Sequence, residues 1–180
     1  MRRILIIFAV VVLAYATVQI ARRRSSHRMI LTAVTVCYTA GFIYFTFFSR
    51  APGDSRINLV PFFAFSASLR YPVHLENFRT ALMSGNWELV FTTFMPIRNA
   101  ILNIFLFIPF GFLLPEWKKR MTPVQVLLAG FLTSLAVEII QVTTDCGWFD
   151  VDDLICNFIG NVLGILLYKA GTGAGRGNLI

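Results

Sequence analysis

Five apolar runs, at residues 4–20, 29–49, 99–115, 123–142 and 153–169, carry only three charged side chains between them: Glu138, Asp153 and Lys169. A helix crosses the hydrocarbon core of a bilayer with about 20 such residues, and with somewhat fewer when its flanks snorkel. No water is available at that depth to pair exposed main chain, so each run has to satisfy its own N–H and C=O groups as a helix. The expected fold class is therefore all-α, a polytopic membrane helical bundle of about five transmembrane helices. The third run contains Pro109 and Gly111, so a kink or partial break is expected there.

Composition agrees with that class: 57% of the residues are apolar and 14% charged. A formal charge of +7 raises the question of nucleic acid, but the basic residues sit in short clusters at the ends of the runs. They read as topology signals and as contacts to anionic membrane lipids. Cys37, Cys146 and Cys156 form no CxxC pair, and His27 and His74 stand far apart in sequence. Neither a metal site nor a disulfide framework nor a cofactor is expected.

Alternation of five spans collects Arg22, Arg23, Arg24, Arg28, Lys118, Lys119, Arg120, Lys169 and Arg176 on one side. Arg2, Arg3, Arg50, Arg56, Arg70, Arg79 and Arg98 fall on the other, spread over a longer segment. The denser side belongs in the cytoplasm, which places the N-terminus out and the C-terminus in. A rival reading treats the start as a cleaved signal peptide, with Ala14-Tyr15-Ala16 as a small-x-small site. That reading would move the Arg22 cluster outside, against the charge rule.

Between the second and third runs, residues 50–98 are too apolar for a free linker, yet 59–65 and 89–95 are each too short to cross. An interfacial or re-entrant segment is expected, with turns at Pro52-Gly53-Asp54 and Ser84-Gly85-Asn86. Residues 1–170 form a single membrane domain on this reading. Residues 171–180, glycine-rich and without the spacing of a phosphate loop, form a flexible tail.

Polar residues then become the informative ones. The third run starts, the fourth ends and the fifth starts on the same side. Asn103, Glu138, Gln141, Asp152, Asp153 and Asn157 therefore gather within roughly 6 Å of one boundary, at 1.5 Å per residue. Helical spacing makes stripes of Asn99 and Asn103, of Ser134, Glu138 and Gln141, and of Asp153, Asn157, Gly160 and Gly164. Glu138 stands out, because intramembrane carboxylates are rare and usually functional. Asp150 and Asp152 have a plainer reading as N-caps of the fifth helix. The plain reading of the asparagines is adhesion between helices.

Four segments give these residues a family likeness. They are Asn58-Leu59-Val60-Pro61-Phe62, the stretch from Asn103 through Ile108-Pro109-Phe110-Gly111 to Pro115, Ser134-Leu135-Ala136-Val137-Glu138-Ile139-Ile140-Gln141, and Phe149-Asp150-Val151-Asp152-Asp153-Leu154 followed by Asn157, Gly160 and Gly164. In order and spacing they resemble the VanZ-like family of small bacterial membrane proteins, over residues 58–168. Trp148 departs from the pattern, since family members often have an arginine before the Phe-Asp pair. The resemblance implies an envelope protein associated with resistance to the glycopeptide teicoplanin. It also implies one shared site made from Asn58, Asn103, Glu138, Gln141, Asp153 and Asn157, and it implies no particular reaction.

Three functions compete on this reading. One is a non-enzymatic protein that binds a lipid-linked cell-wall precursor or a lipoglycopeptide headgroup through Asn58, Asn103, Glu138, Gln141, Asp152, Asp153 and Asn157. A second is an intramembrane enzyme with Glu138 and Asp153 as acid and base. A third is a small ion-coupled transporter, for which a homo-oligomer would supply the missing half.

Overall fold

The computed structural model describes residues 2–22, 27–48, 57–61, 79, 80, 82–86, 95–145 and 147–173, with side chains from Ala9 in the first helix and from Asn99 in the third. Five long helices carry the fold: α1 (Arg2–Ala21), α2 (His27–Ile43), α3 (Met95–Trp117), α4 (Pro123–Thr143) and α5 (Val151–Thr172). The chain is an all-α membrane bundle. Among the described residues, four stretches are long and apolar enough to cross a membrane: His27–Phe48, Asn99–Trp117, Pro123–Thr143 and Val151–Thr172. Ala9–Ala21 adds a shorter apolar helix.

Local chemistry explains where the helices begin and end. Pro123 opens α4 behind a capping box, in which the Gln125 N–H donates to Thr122 Oγ1 at 3.3 Å and the Thr122 N–H donates to Gln125 Oε1 at 2.9 Å. Asp150 caps α5, with Asp152 and Asp153 in the first turn and Lys169 in the last, all favourable to the helix dipole. Gly173 ends that helix at φ 68°, a left-handed conformation natural to glycine. The tail beyond it lies outside the described residues.

α3 is not broken at its prolines. Pro109 and Pro115 lie inside a helix assigned without interruption from Met95 to Trp117. Pro109 is buried, so neighbouring helices surround the point where its missing N–H weakens the ladder. α2, by contrast, widens at its end into a π-helix, Tyr44–Phe48. Most of the expected interfacial segment lies outside the described residues. Ser84 and Gly85 do form the expected turn, with Gly85 at φ 67°.

Contacts fix the helix directions. Glycines 160 and 164 of α5 lie against the carbonyls of Ile104 and Ile108 of α3, where an added Cβ would collide. Both numbers advance together, so α3 and α5 run parallel as a close central pair. Lipid is as apolar as leucine, so helix association in a membrane depends on such close approach rather than on hydrophobic burial. α4 packs antiparallel to α5 through Ser134 with Asn157 and Val126 with Asn161. α1 runs with α3, since Tyr15 meets Phe112 edge-on at 5.7 Å and Arg22 pairs with Glu116, while α2 runs against α3, since Phe42 meets Phe107 and Thr35 accepts from Trp117 Nε1 at 2.9 Å. Val11, Val18, Leu31, Ile108, Phe112 and Leu113 form the apolar core among α1, α2 and α3. The N-termini of α3 and α5 and the C-termini of α2 and α4 thus meet at one end of the bundle.

Candidate functional site

The polar groups of that end are built into a linked structure. Ile57 and Asn58 (β1) pair in parallel with Phe149 and Asp150 (β2), Asn58 opposite Asp150. This two-residue ladder ties the segment after α2 to the start of α5. Its side chains continue the link: Asn58 Nδ2 donates to Asp150 Oδ1 at 3.2 Å, and the Asp152 N–H donates to the same oxygen at 2.9 Å. The Asp150 N–H in turn donates to Glu138 Oε2 at 3.0 Å. Glu138 is buried on α4, only 1% exposed. Burying a carboxylate is costly unless it accepts such bonds, and the main chain of β2 supplies one.

Ser134, Glu138 and Gln141 share the buried face of α4, as their spacing requires. Gln141 turns its amide to α2 and donates from Nε2 to the Thr46 carbonyl at 3.0 Å. Thr46 lies in the π-helical turn, at a helix end where carbonyls lack partners within the helix. Asn157 donates from Nδ2 to Ser134 Oγ at 2.8 Å, one step deeper. Deeper again, Asn161 donates to the Val126 carbonyl at 3.1 Å. Gly130 of α4 and Gly111 of α3 both make room for Asn161: a Cβ on either would strike it.

The expected residues therefore fall into three groups. Asn58 and Glu138 meet through Asp150, Asn157 joins α4 through Ser134, and Gln141 reaches Thr46. Asp152 and Asp153 are half-buried in the first turn of α5. Asn103 is buried on α3, and its Nδ2 has no hydrogen-bond partner. Three other buried atoms share that condition among the described residues: Thr46 Oγ1, Asn157 Oδ1 and Asn161 Oδ1. The shallow layer is in fact a seam. From Asp150 to Asn161 it descends about 16 Å at 1.5 Å per residue, half of a ~30 Å hydrocarbon core.

Sequence reasoning undervalued Asp150, which is both a cap and the junction of the network, and it passed over Thr46 and Asn161. Asn161 follows Asn157 by one turn, a spacing that had already marked the other stripes. No group of three or more metal-ligating side chains occurs among the described residues.

The opposite end holds a different polar cluster. Glu116, at the end of α3, is 5% exposed and ion-paired to Arg22, while His27 Nε2 lies 3.8 Å from its other oxygen. Arg22 also donates to Gln19 Oε1 at 2.8 Å and stands over the Tyr168 ring at 5.5 Å. Desolvation lowers the Arg22 pKa, opposed by the phenols of Tyr168 and Tyr15. Residues from α1, α2, α3 and α5 meet in this cluster.

Comparison with known proteins places the chain. The family model described as VanZ/LLP1 matches residues 4–172. Protein VanZ of Enterococcus faecium is 37% identical over 78 residues, which are 43% of this chain and 48% of that protein. The match thus spans about half of that relative's length. No solved structure matches.

Proposed function

The chain belongs to the VanZ/LLP1 family of membrane proteins, and from that premise we propose that it is a non-enzymatic envelope protein whose polar seam binds the headgroup of a lipid-linked or lipoglycopeptide molecule. The seam's mouth faces outward on the topology that the basic clusters favour, with the N-terminus out and the C-terminus in. Binding there contributes to teicoplanin tolerance by altering access to cell-wall precursor at the outer leaflet.

One observation carries the reading. An intramembrane carboxylate, Glu138, is held by the main chain of Asp150, which is itself fastened to Asn58 from the far side of α3 in sequence. Two short strands and a side-chain bond preorganise this end, where a simple helix contact would have needed none of them. Asn103 and Asn157 add unpaired buried polar atoms to the same end of the bundle. A headgroup rich in hydroxyl, amide or phosphate oxygen supplies the partners they lack.

The test is the inhibitory concentration of teicoplanin and of vancomycin in a susceptible Gram-positive host expressing the chain. Glu138→Gln and Asp153→Asn variants of equal membrane abundance are compared with it, and membrane lipids are analysed in parallel. Teicoplanin tolerance that both variants lose, with lipid chemistry unchanged, is the expected result. A lipid product that appears with the chain and disappears in either carboxylate variant would replace this reading with the intramembrane enzyme.

A further inference from the structure

Beside the polar seam lies an apolar groove between α1, α2 and α3, lined on α2 by Cys37, Gly41 and Phe45 and on α3 by Phe105 and Pro109. We infer that this groove seats one fatty-acyl chain of a membrane lipid whose ester or phosphate oxygens meet Thr46 and Asn103. The inference deepens the proposed function, on which it rests for the polar end, by naming the ligand as an acyl lipid.

Three observations support it. First, the groove has the right length and place. Cys37 to Phe45 spans about 12 Å of helix at 1.5 Å per residue, close to the ~15 Å depth of one leaflet's hydrocarbon. Cys37, Gly41 and Phe45 lie at i, i+4 and i+8, so a single side of α2 borders the groove. The apolar lining matches a hydrocarbon chain, and a chain lying in a groove gains contacts on more sides than one lying on a convex helix.

Second, space is left open at Gly41. A Cβ there would meet nothing within 4 Å. The glycines of the α3–α5 pair are filled by neighbouring carbonyls, so Gly41 serves no helix contact of that kind.

Third, two unsatisfied buried polar groups lie one helical turn past the groove's Phe42 and past Phe107, which packs against it. Phe42 and Phe107 meet ring to ring at 5.5 Å. Thr46 lies one turn beyond Phe42, and Asn103 lies one turn beyond Phe107 in the opposite chain direction. Because α2 and α3 are antiparallel, both steps lead to the same end. Thr46 is 3% exposed and Asn103 9%, and neither Thr46 Oγ1 nor Asn103 Nδ2 has a partner. A hydroxyl and an amide, both able to donate, suit an acceptor such as an ester carbonyl or a phosphate oxygen. Such an acceptor recovers the cost of leaving them bare.

The test uses the full chain in phosphatidylcholine vesicles containing a trace of phosphatidylglycerol with a mid-chain diazirine on its palmitoyl group. After irradiation, adducts are mapped by mass spectrometry, with the exposed α4 positions Leu128 and Leu132 as the internal reference for ordinary lipid contact. Adducts concentrated at Cys37 to Phe45 and Phe105 to Pro109 are expected. Gly41→Leu should lower them about fivefold, since a leucine occupies the space of several methylenes, while Leu128 and Leu132 label as before. Thr46→Val with Asn103→Leu should also reduce groove labelling; no reduction would remove the polar anchor. Adducts no denser in the groove than on α4, or unchanged in Gly41→Leu, would overturn the inference. Failure here with tolerance still lost in Glu138→Gln leaves the headgroup site standing. Groove labelling with tolerance unaffected by Glu138→Gln leaves the acyl site and removes the headgroup reading.

Discussion

Two buried glutamates mark the two ends of the bundle, and the protein treats them differently. Glu116 is held by side chains, with Arg22 ion-paired to it and His27 nearby. Glu138 is held by the main-chain N–H of Asp150. An ion pair fixes helices to one another, because either partner left alone is a buried uncompensated charge. A main-chain donor fixes the carboxylate in place and belongs to a strand that is itself tied to Asn58. The first arrangement stabilises the fold, and the second, on the proposed function, positions a group.

The largest effect should therefore appear at the Glu116 end. Glu116→Ala leaves Arg22 without its partner and should cost about 3 kcal/mol, read as a lower unfolding midpoint of the purified full chain in detergent. Replacing both partners with apolar residues, Arg22→Met with Glu116→Leu, should be milder than Glu116→Ala alone. A double variant as unstable as the single one would show that the cluster is more than a pair, and Tyr168 and Gln19 would be the residues to examine.

Between the two ends, Gly164→Leu drives a side chain into the Ile108 carbonyl and should cost about 1–3 kcal/mol through overpacking. Gly41→Leu, which meets open space, should leave the unfolding midpoint close to that of the parent. The contrast separates glycines that permit helix contact from one that does not.

At the Glu138 end, stability and function should part company. Glu138→Gln keeps the shape and can still accept from the Asp150 N–H, so the midpoint should move by about 1 kcal/mol or less. Teicoplanin tolerance should nevertheless fall to that of cells lacking the protein. A large loss of stability with no separate loss of tolerance would make Glu138 another structural glutamate, and the comparison would collapse. Asn58→Ala removes the hydrogen bonds to Asp150 and from the Val60 N–H and should lower the unfolding midpoint by about 1 kcal/mol.

The sequence made the spans legible because an uncharged run long enough to cross a bilayer has few other uses. It also made the Ser134, Glu138 and Gln141 face legible, since three polar residues at helical spacing in an apolar helix have to turn inward together. Asp150 was readable as a cap, but its second role was not. That role depends on a two-residue strand pair too short to leave a periodic signal. The Thr46 carbonyl was equally hidden, because it is exposed to Gln141 by a change of helix type in a run that reads as uniform. Glu116 follows directly on the third apolar run, where nothing in the sequence singles it out, and only the return of Arg22 and His27 to the same end shows it to be buried. The unbroken course of α3 through Pro109 follows from packing on several sides, which no local preference reports.

The parallel pairing of Asn58 with Asp150 also sets a clock. The two residues are 92 positions apart, and ribosomes add about 5–20 residues per second. The junction therefore waits roughly 5–20 seconds after Asn58 is made, until Asp150 is translated just ahead of α5. Glu138 precedes its main-chain donor by only 12 residues, so the long wait belongs to Asn58. The mouth is thus assembled late, and a chain interrupted before Phe149 would have the first four helices without the strand pair or the main-chain donor to Glu138.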